Sequence, residues 1–323
     1  MSNEFGQRGL SQQAFFQDLS EGMLAPLLKR VKADTSLDLE IRKDYLNIYY
    51  RGGNLLKVSP GNKSGGYSAF FETKYGPALK DKLPSKGILS KADAETWLVL
   101  FPEMKNAMDL WFGANPKAER ASQQMVVYEN NTAPWAGGND YFIIDIEYDN
   151  HIGARFDLVA LRWDSNSTAR KLHKEFIPRL AVLELKAGDG ALNGKAGLRD
   201  HYQQWEKFFS DANQLKSFKQ EMLNVFKQKR ELGLIPALAD NRNAVDRVAD
   251  DIEVIFLLAN HDPASRKLKD AVEEIYEKQM TGKPKFKVCF AKSTFMGYGL
   301  YSHNILSLEA FRTRLGQIEK KIV

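Results

Sequence analysis

Apolar residues return every three or four positions in some stretches of this chain and every second position in others, and each change of period marks where a helix gives way to a strand. Between residues 1 and 33, Phe15, Phe16, Leu19, Met23, Leu24, Leu27, Leu28 and Val31 keep the helical spacing and predict one or two amphipathic helices. From Leu37 the period shortens to two, and the runs Leu-Asp-Leu-Glu-Ile, Tyr-Leu-Asn-Ile-Tyr-Tyr and Leu-Leu-Lys-Val predict strands. A Gly-Gly turn joins them into an antiparallel meander that reaches Phe70 and Phe71. Helices are expected again over residues 91–100 and 103–112. Asn115 followed by Pro116 reads as a capping side chain with proline at the first helical position, so residues 117–128 form the next predicted helix.

Residues 141–148 predict a strand with Phe142, Ile144, Ile146 and Tyr148 on one face and Asp145 and Glu147 on the other, open face. Two further strands are predicted over 154–161 and 180–188. Alternation places Asp157 on a face with Arg155 and Val159, and Glu184 and Lys186 on a face with Val182. If those strands are neighbours with their faces aligned, Asp157 comes next to Glu184, and Lys186 stands one pleat further on. An amphipathic helix over 198–209 carries Leu198, Tyr202, Trp205 and Phe209 as a core stripe. A helix over 213–229, a connection over 233–242, a strand over 252–259, a helix over 263–280 and a strand over 286–291 extend the sheet. The expected class is α/β, a mixed sheet flanked by helices, with an N-terminal helix and antiparallel-strand extension over 1–112 packed on a core over 113–323.

Composition narrows the function. In 323 residues, 43% are hydrophobic and 27% charged, which predicts a globular and ordered chain. The longest apolar run, over 254–259, is far short of the roughly 20 residues that a membrane span needs, so no membrane partner is expected. The first residues lack the basic start and apolar run of a secretory leader, and a lone Cys289 excludes an internal disulfide framework, so the cytoplasm is expected. A net charge of +5 and a pI near 9.0 permit a polyanionic partner. Many of the basic residues, Lys195 and Arg199 among them, follow directly on Lys186. The glycine-rich loop after Lys186 is no Walker loop, because Asp189 stands where its first glycine belongs and Ala196 replaces the hydroxyl residue. The five histidines show no metal-ligand spacing, and no Ser-His-Asp or Gly-X-Ser-X-Gly arrangement occurs.

An Asp on one strand followed on the next by Glu-X-Lys resembles the PD-(D/E)XK nuclease superfamily, the restriction-endonuclease-like group. The matched order of helix, hairpin, Asp157, Glu184-Leu185-Lys186 and helix runs from Asn115 to Phe209. Phe156 replaces the proline usual before the motif Asp, and Leu198 stands where some relatives carry the Gln of Gln-X-X-X-Tyr, although Tyr202 is present. The resemblance implies a metal-dependent nuclease acting on nucleic acid, DNA in preference to RNA. Mg²⁺, with Mn²⁺ as its substitute, would be held by Asp157, Glu184 and the carbonyl of Leu185. Lys186 would orient the attacking water or steady the charge on phosphorus, and the side chains of Asp157, Glu184 and Lys186 are expected to lie exposed in a cleft. Glu119, on the helix before the hairpin, matches the extra acidic residue that the family often adds, and equally suits the first turn of its own helix. Lys195, Arg199 and Gln203 would contact nucleic acid, and a homodimer is compatible with the family. Asp145 and Glu147 stand as outer candidates. The alternative is a catalytically silent nuclease-like module that binds nucleic acid or a protein partner.

Overall fold

The two strand-bearing regions of the sequence form two separate sheets, one purely antiparallel and one mixed. The computed structural model describes residues 8–61, 66–150, 153, 155–165, 170, 176–194, 196–241, 243–259, 261, 265–282, 284, 286–292, 300 and 305–322, with backbone alone at 292 and 318–322. Two compact units emerge. One consists of Gln7–Gln124 with Asn224–Pro236, and the other of Met125–Leu223 with Ala237–Val323.

In the first unit, helices α1 (Gln13–Ser20) and α2 (Ala25–Ala33) precede the strands β1 (Leu37–Ile41), β2 (Leu46–Tyr50), β3 (Gly53–Pro60) and β4 (Tyr67–Phe70), which pair in sequence order as an antiparallel meander. Its apolar face, with Leu39, Ile41, Ile48, Leu56 and Val58, is fully buried, which is what a period of two is for. The β2–β3 turn is Arg51-Gly52 rather than Gly-Gly: both have positive φ (50° and 72°), the geometry of the hairpin turn that matches strand twist. Gly52 is required there twice over, since a Cβ would come within 2.5 Å of the Arg120 backbone.

Helix α3 (Lys91–Ala114) is one continuous element and not the two expected, with Pro102 inside it. Proline removes one intrahelical hydrogen bond, but Trp97, Phe101, Met104 and Met108 line a buried stripe on both sides of it and hold the helix together. Asn115 closes this helix instead of starting the next, its N–H bonding the Trp111 carbonyl at 2.8 Å. Helix α4 (Ala118–Val127) begins three residues later, and its Gln124 accepts from Gly52 N at 2.7 Å and donates to the Ser36 carbonyl at 2.7 Å.

The second unit contains a six-stranded sheet in the order β10-β9-β8-β7-β6-β5. Strands β5 (Tyr141–Asp149), β6 (Arg155–Arg162) and β7 (Arg179–Ala187) are antiparallel neighbours, whereas β8 (Glu253–Ala259) and β9 (Lys287–Lys292) continue parallel to β7. Parallel neighbours need long crossovers. Helices α5 (Leu198–Ser210) and α6 (Ala212–Glu231) lie between β7 and β8, and α7 (Arg266–Gly282) between β8 and β9. A two-residue strand β10 (Leu306–Ser307) and helix α8 (Leu308–Ile322) end the described chain. This is an α/β architecture with a mixed sheet flanked by helices.

One register shift changes which side chains face together. The β5–β6 pairing slips between Ile143 and Asp145, so Asp145 opposes Val159 while Ile143 opposes Ala160. Phe142 therefore shares its face with Asp145 rather than with Ile146. Asn131 satisfies the backbone at the slip, accepting from Ile143 N and donating to its carbonyl at 2.8 Å each. Asp145 is buried at 0% exposure, not on an open face, and Arg155 pairs with Asp149 at 2.9 Å. Among the described residues no helix is long and apolar enough to cross a membrane.

Candidate active site

The β6–β7 ladder runs from Arg162 opposite Arg179 to Leu158 opposite Leu183 and stops there. Both strands go on, β6 back to Arg155 against β5 and β7 forward to Ala187 against β8. Asp157 and Glu184 are the first residues past the last pair, one on each strand. Where the strands part, the β7 backbone groups that face β6 lose their partners, and Asp157 supplies one: its Oδ2 accepts from Leu185 N at 2.8 Å. The N–H and C=O of one residue in an extended strand point to the same side, so the Leu185 carbonyl faces the same gap.

Glu184 and Lys186, two residues apart on one face, form an ion pair at 2.7 Å and are each only 3% exposed. Helix α5 covers them. Trp205 packs on Phe256 at 4.7 Å between ring centroids, and Tyr202 and Phe209 pack on Phe286 at 5.4 and 5.2 Å. That docking brings His201 Nε2 to 2.9 Å from Glu184 Oε1 and 3.2 Å from Lys186 Nζ. The expectation of exposed side chains in an open cleft is thus corrected for Glu184 and Lys186, because the aromatic stripe of α5 excludes water from their strand face. Asp157 remains half-buried. Burial, and after it the charge of Glu184, hold the Asp157 carboxyl well above the usual carboxylate range, against the opposing pull of the Leu185 N–H and of Lys186.

A second histidine secures the far end of β7. His261 Nε2 lies 2.9 Å from the Lys186 carbonyl and its Nδ1 3.0 Å from Asp189 Oδ1, tying the strand end to the glycine loop. Sequence reasoning found neither histidine. For His201 the signal was present: it sits three residues after Leu198 and four before Trp205, on the buried stripe rather than on the polar face. His261 carried no such mark, because its partners, Asp189 and the Lys186 carbonyl, lie 72 and 75 residues away.

Of the other candidates, Glu119 occupies the first turn of α4, in the unit of the meander, whereas Asp157, Glu184 and Lys186 belong to the unit of the mixed sheet. Arg199 is exposed and pairs with Glu274 of α7 at 2.9 Å. Gln203 is exposed on α5. Lys195 lies outside the described residues.

Comparison with protein-family models, with characterised proteins and with solved structures finds no match.

Among the described residues no group of three or more His, Cys, Asp or Glu side chains is arranged to hold a metal. The donors offered here are different in kind: two carboxylates and one main-chain carbonyl, all oxygen, around one gap. Such a set suits a magnesium-like ion, which keeps several of its waters. The Asp157 carboxyl is raised first by burial and after it by the charge of Glu184, and a bound cation would offset both.

Proposed function

We propose that the protein is a metal-dependent nuclease whose centre is Asp157, Glu184, Leu185 and Lys186, with DNA as the first substrate to test and RNA the second. The observation that supports this reading is the parting of β6 and β7 at Asp157 and Glu184, where Asp157 bonds the Leu185 backbone and Glu184 pairs with Lys186.

A phosphodiester resists water because its own negative charge repels a nucleophile. A divalent cation, when bound, offsets that charge and makes water a stronger acid. Asp157 and Glu184 would hold it with the Leu185 carbonyl. Asp157 is itself oriented by the Leu185 N–H, and Glu184 by Lys186 and His201. An ammonium has three N–H donors, so Lys186 retains capacity for a phosphate oxygen or an attacking water while it holds Glu184. The compact ammonium suits charge developing on phosphorus-bound oxygens better than a guanidinium fork does.

The competing reading, a silent module that binds nucleic acid or a protein without cutting it, would rest on the burial of Glu184 and Lys186 as a closed pair. Plasmid and single-stranded substrates incubated with the full chain in Mg²⁺, Mn²⁺ or EDTA separate the two. Cleavage in either metal, absent in EDTA and in Glu184→Gln, supports the nuclease; binding without cleavage under every condition supports the silent module.

A further inference from the structure

We infer that His201 is a positioning residue for the proposed centre: together with Lys186 it fixes one oxygen of Glu184, Oε1, and leaves the other, Oε2, to a divalent cation. The inference deepens the nuclease reading and rests on it for the cation. Lys186 Nζ lies 2.7 Å from Oε1, and His201 Nε2 lies 2.9 Å from the same atom. Among the described residues no hydrogen bond reaches Oε2.

What surrounds each ring nitrogen decides which of them carries the proton. The ring is 8% exposed and leans towards Trp205, with centroids 6.2 Å apart. Nδ1 is sealed from water and has no partner. A proton there would make it a buried donor with nothing to accept, and Nε2 would then turn its lone pair on a carboxylate oxygen 2.9 Å away. Placing the proton on Nε2 removes both penalties and leaves at Nδ1 only an unused lone pair. Lys186 Nζ, 3.2 Å from Nε2, is then a second donor to a shared acceptor rather than a partner of the ring.

The last torsion of a glutamate is soft, so an untethered carboxylate turns freely and presents either oxygen. Two N–H donors on Oε1 stop that rotation and keep Oε2 as the oxygen on offer. Partners of this kind, which touch a ligand and not the metal, set the orientation of a metal site. The imidazole does so through a single N–H, without the full positive charge that a lysine or arginine at 201 would bring close to a divalent ion. Packing supplies the precision: Trp205 on Phe256 and Tyr202 on Phe286 seat α5, so the stripe that buries Glu184 also aims the donor at it.

Two measurements on the full chain test this. Ring-nitrogen NMR shifts of histidine-labelled protein in EDTA, at about pH 8 and so above the usual histidine range, should show the His201 proton on Nε2 and none on Nδ1. The signals are assigned by their loss in His201→Gln, and they are read on wild type, so they stand even if His201→Ala does not fold. In Mn²⁺ titration calorimetry His201→Ala should bind about tenfold more weakly than wild type, and His201→Gln, whose amide also carries an N–H donor, within about threefold of it. A proton on Nδ1, His201→Ala binding Mn²⁺ as wild type does, or His201→Gln as weak as His201→Ala overturns the role of His201 and leaves the cation site standing. Wild type that binds no Mn²⁺ overturns the cation site itself, and the positioning role with it.

Discussion

Two glutamate–lysine pairs, one in each unit, are nearly identical in their contact and opposite in what surrounds them. Glu40 and Lys229 meet at 2.6 Å with 0% and 1% exposure, and Glu184 and Lys186 at 2.7 Å with 3% each. Beside Glu40 stands a second cation, because Arg42 lies 3.8 Å from its other oxygen and reaches Tyr49 Oη at 3.0 Å. Around Glu184 the contacts are Lys186 and His201, and a second carboxylate, Asp157, stands at the point where the strands part. The first pair joins residues 189 apart in sequence and serves to fasten Asn224–Pro236 to the meander. The second joins residues two apart on one strand, where no fastening is needed. A buried ion pair by itself indicates structure; the proposed cation site rests on a buried pair with a second carboxylate beside it at a strand parting.

The largest expected effect belongs to the structural pair. Lys229→Ala removes the cation that stands 2.6 Å from the buried Glu40, and should cost about 3–5 kcal/mol in urea denaturation. The fraction that remains folded should retain cleavage. A fragment that begins near Gly113 leaves Lys229 without Glu40 and should lose the cooperative transition of the full chain in calorimetry.

Next in size is Lys186→Ala, expected to lower cleavage by about 10²–10³-fold, in the range that loss of one group stabilising developing charge produces. It also uncovers Glu184, so a modest fall in melting temperature should accompany it. Metal binding should survive, since an ammonium is no ligand and its removal relieves repulsion of a cation. Cleavage kinetics beside metal titration checks both halves, and parallel loss of metal affinity would refute the division of roles.

A smaller effect of opposite sign is expected at Asp157. Its folded carboxyl titrates well above the unfolded one, so below about pH 4 both states are protonated and the group contributes nothing. As pH rises through the folded value, the unfolded chain ionises first and stability is lost. Asp157→Asn keeps an acceptor for Leu185 N and removes that loss. Melting temperatures in EDTA should therefore coincide at low pH and separate in favour of the variant as pH rises.

How much of this was legible in the sequence follows from which interactions are local. The strands of Asp157 and Glu184 and their faces could be read because side-chain alternation depends on neighbours one and two residues away. The slip at Ile143 could not, because it is fixed by Asn131 from outside the strand. Burial of Glu184 and Lys186 was equally hidden: it depends on where α5 docks, which Phe256 and Phe286 decide from strands and loops far along the chain. Asn115 and Pro116 carry real capping chemistry, yet the preceding helix took the asparagine, since Trp111 offered its carbonyl first.

The smallest of the expected changes is at the surface. Arg199→Gln should weaken nucleic-acid binding only severalfold and lower the slope of log affinity against log salt by about one phosphate contact. An unchanged slope would place the electrostatic footprint elsewhere.

The central claim, that the gap at Asp157 and Glu184 takes a cation whereas the Glu40 site does not, is tested most directly by Mn²⁺ titration calorimetry on three full-length proteins. Wild type and Glu40→Gln should each bind Mn²⁺ at this site with similar affinity, and Asp157→Asn should lose it. Wild type without binding heat, or Asp157→Asn binding as wild type does, would contradict the account.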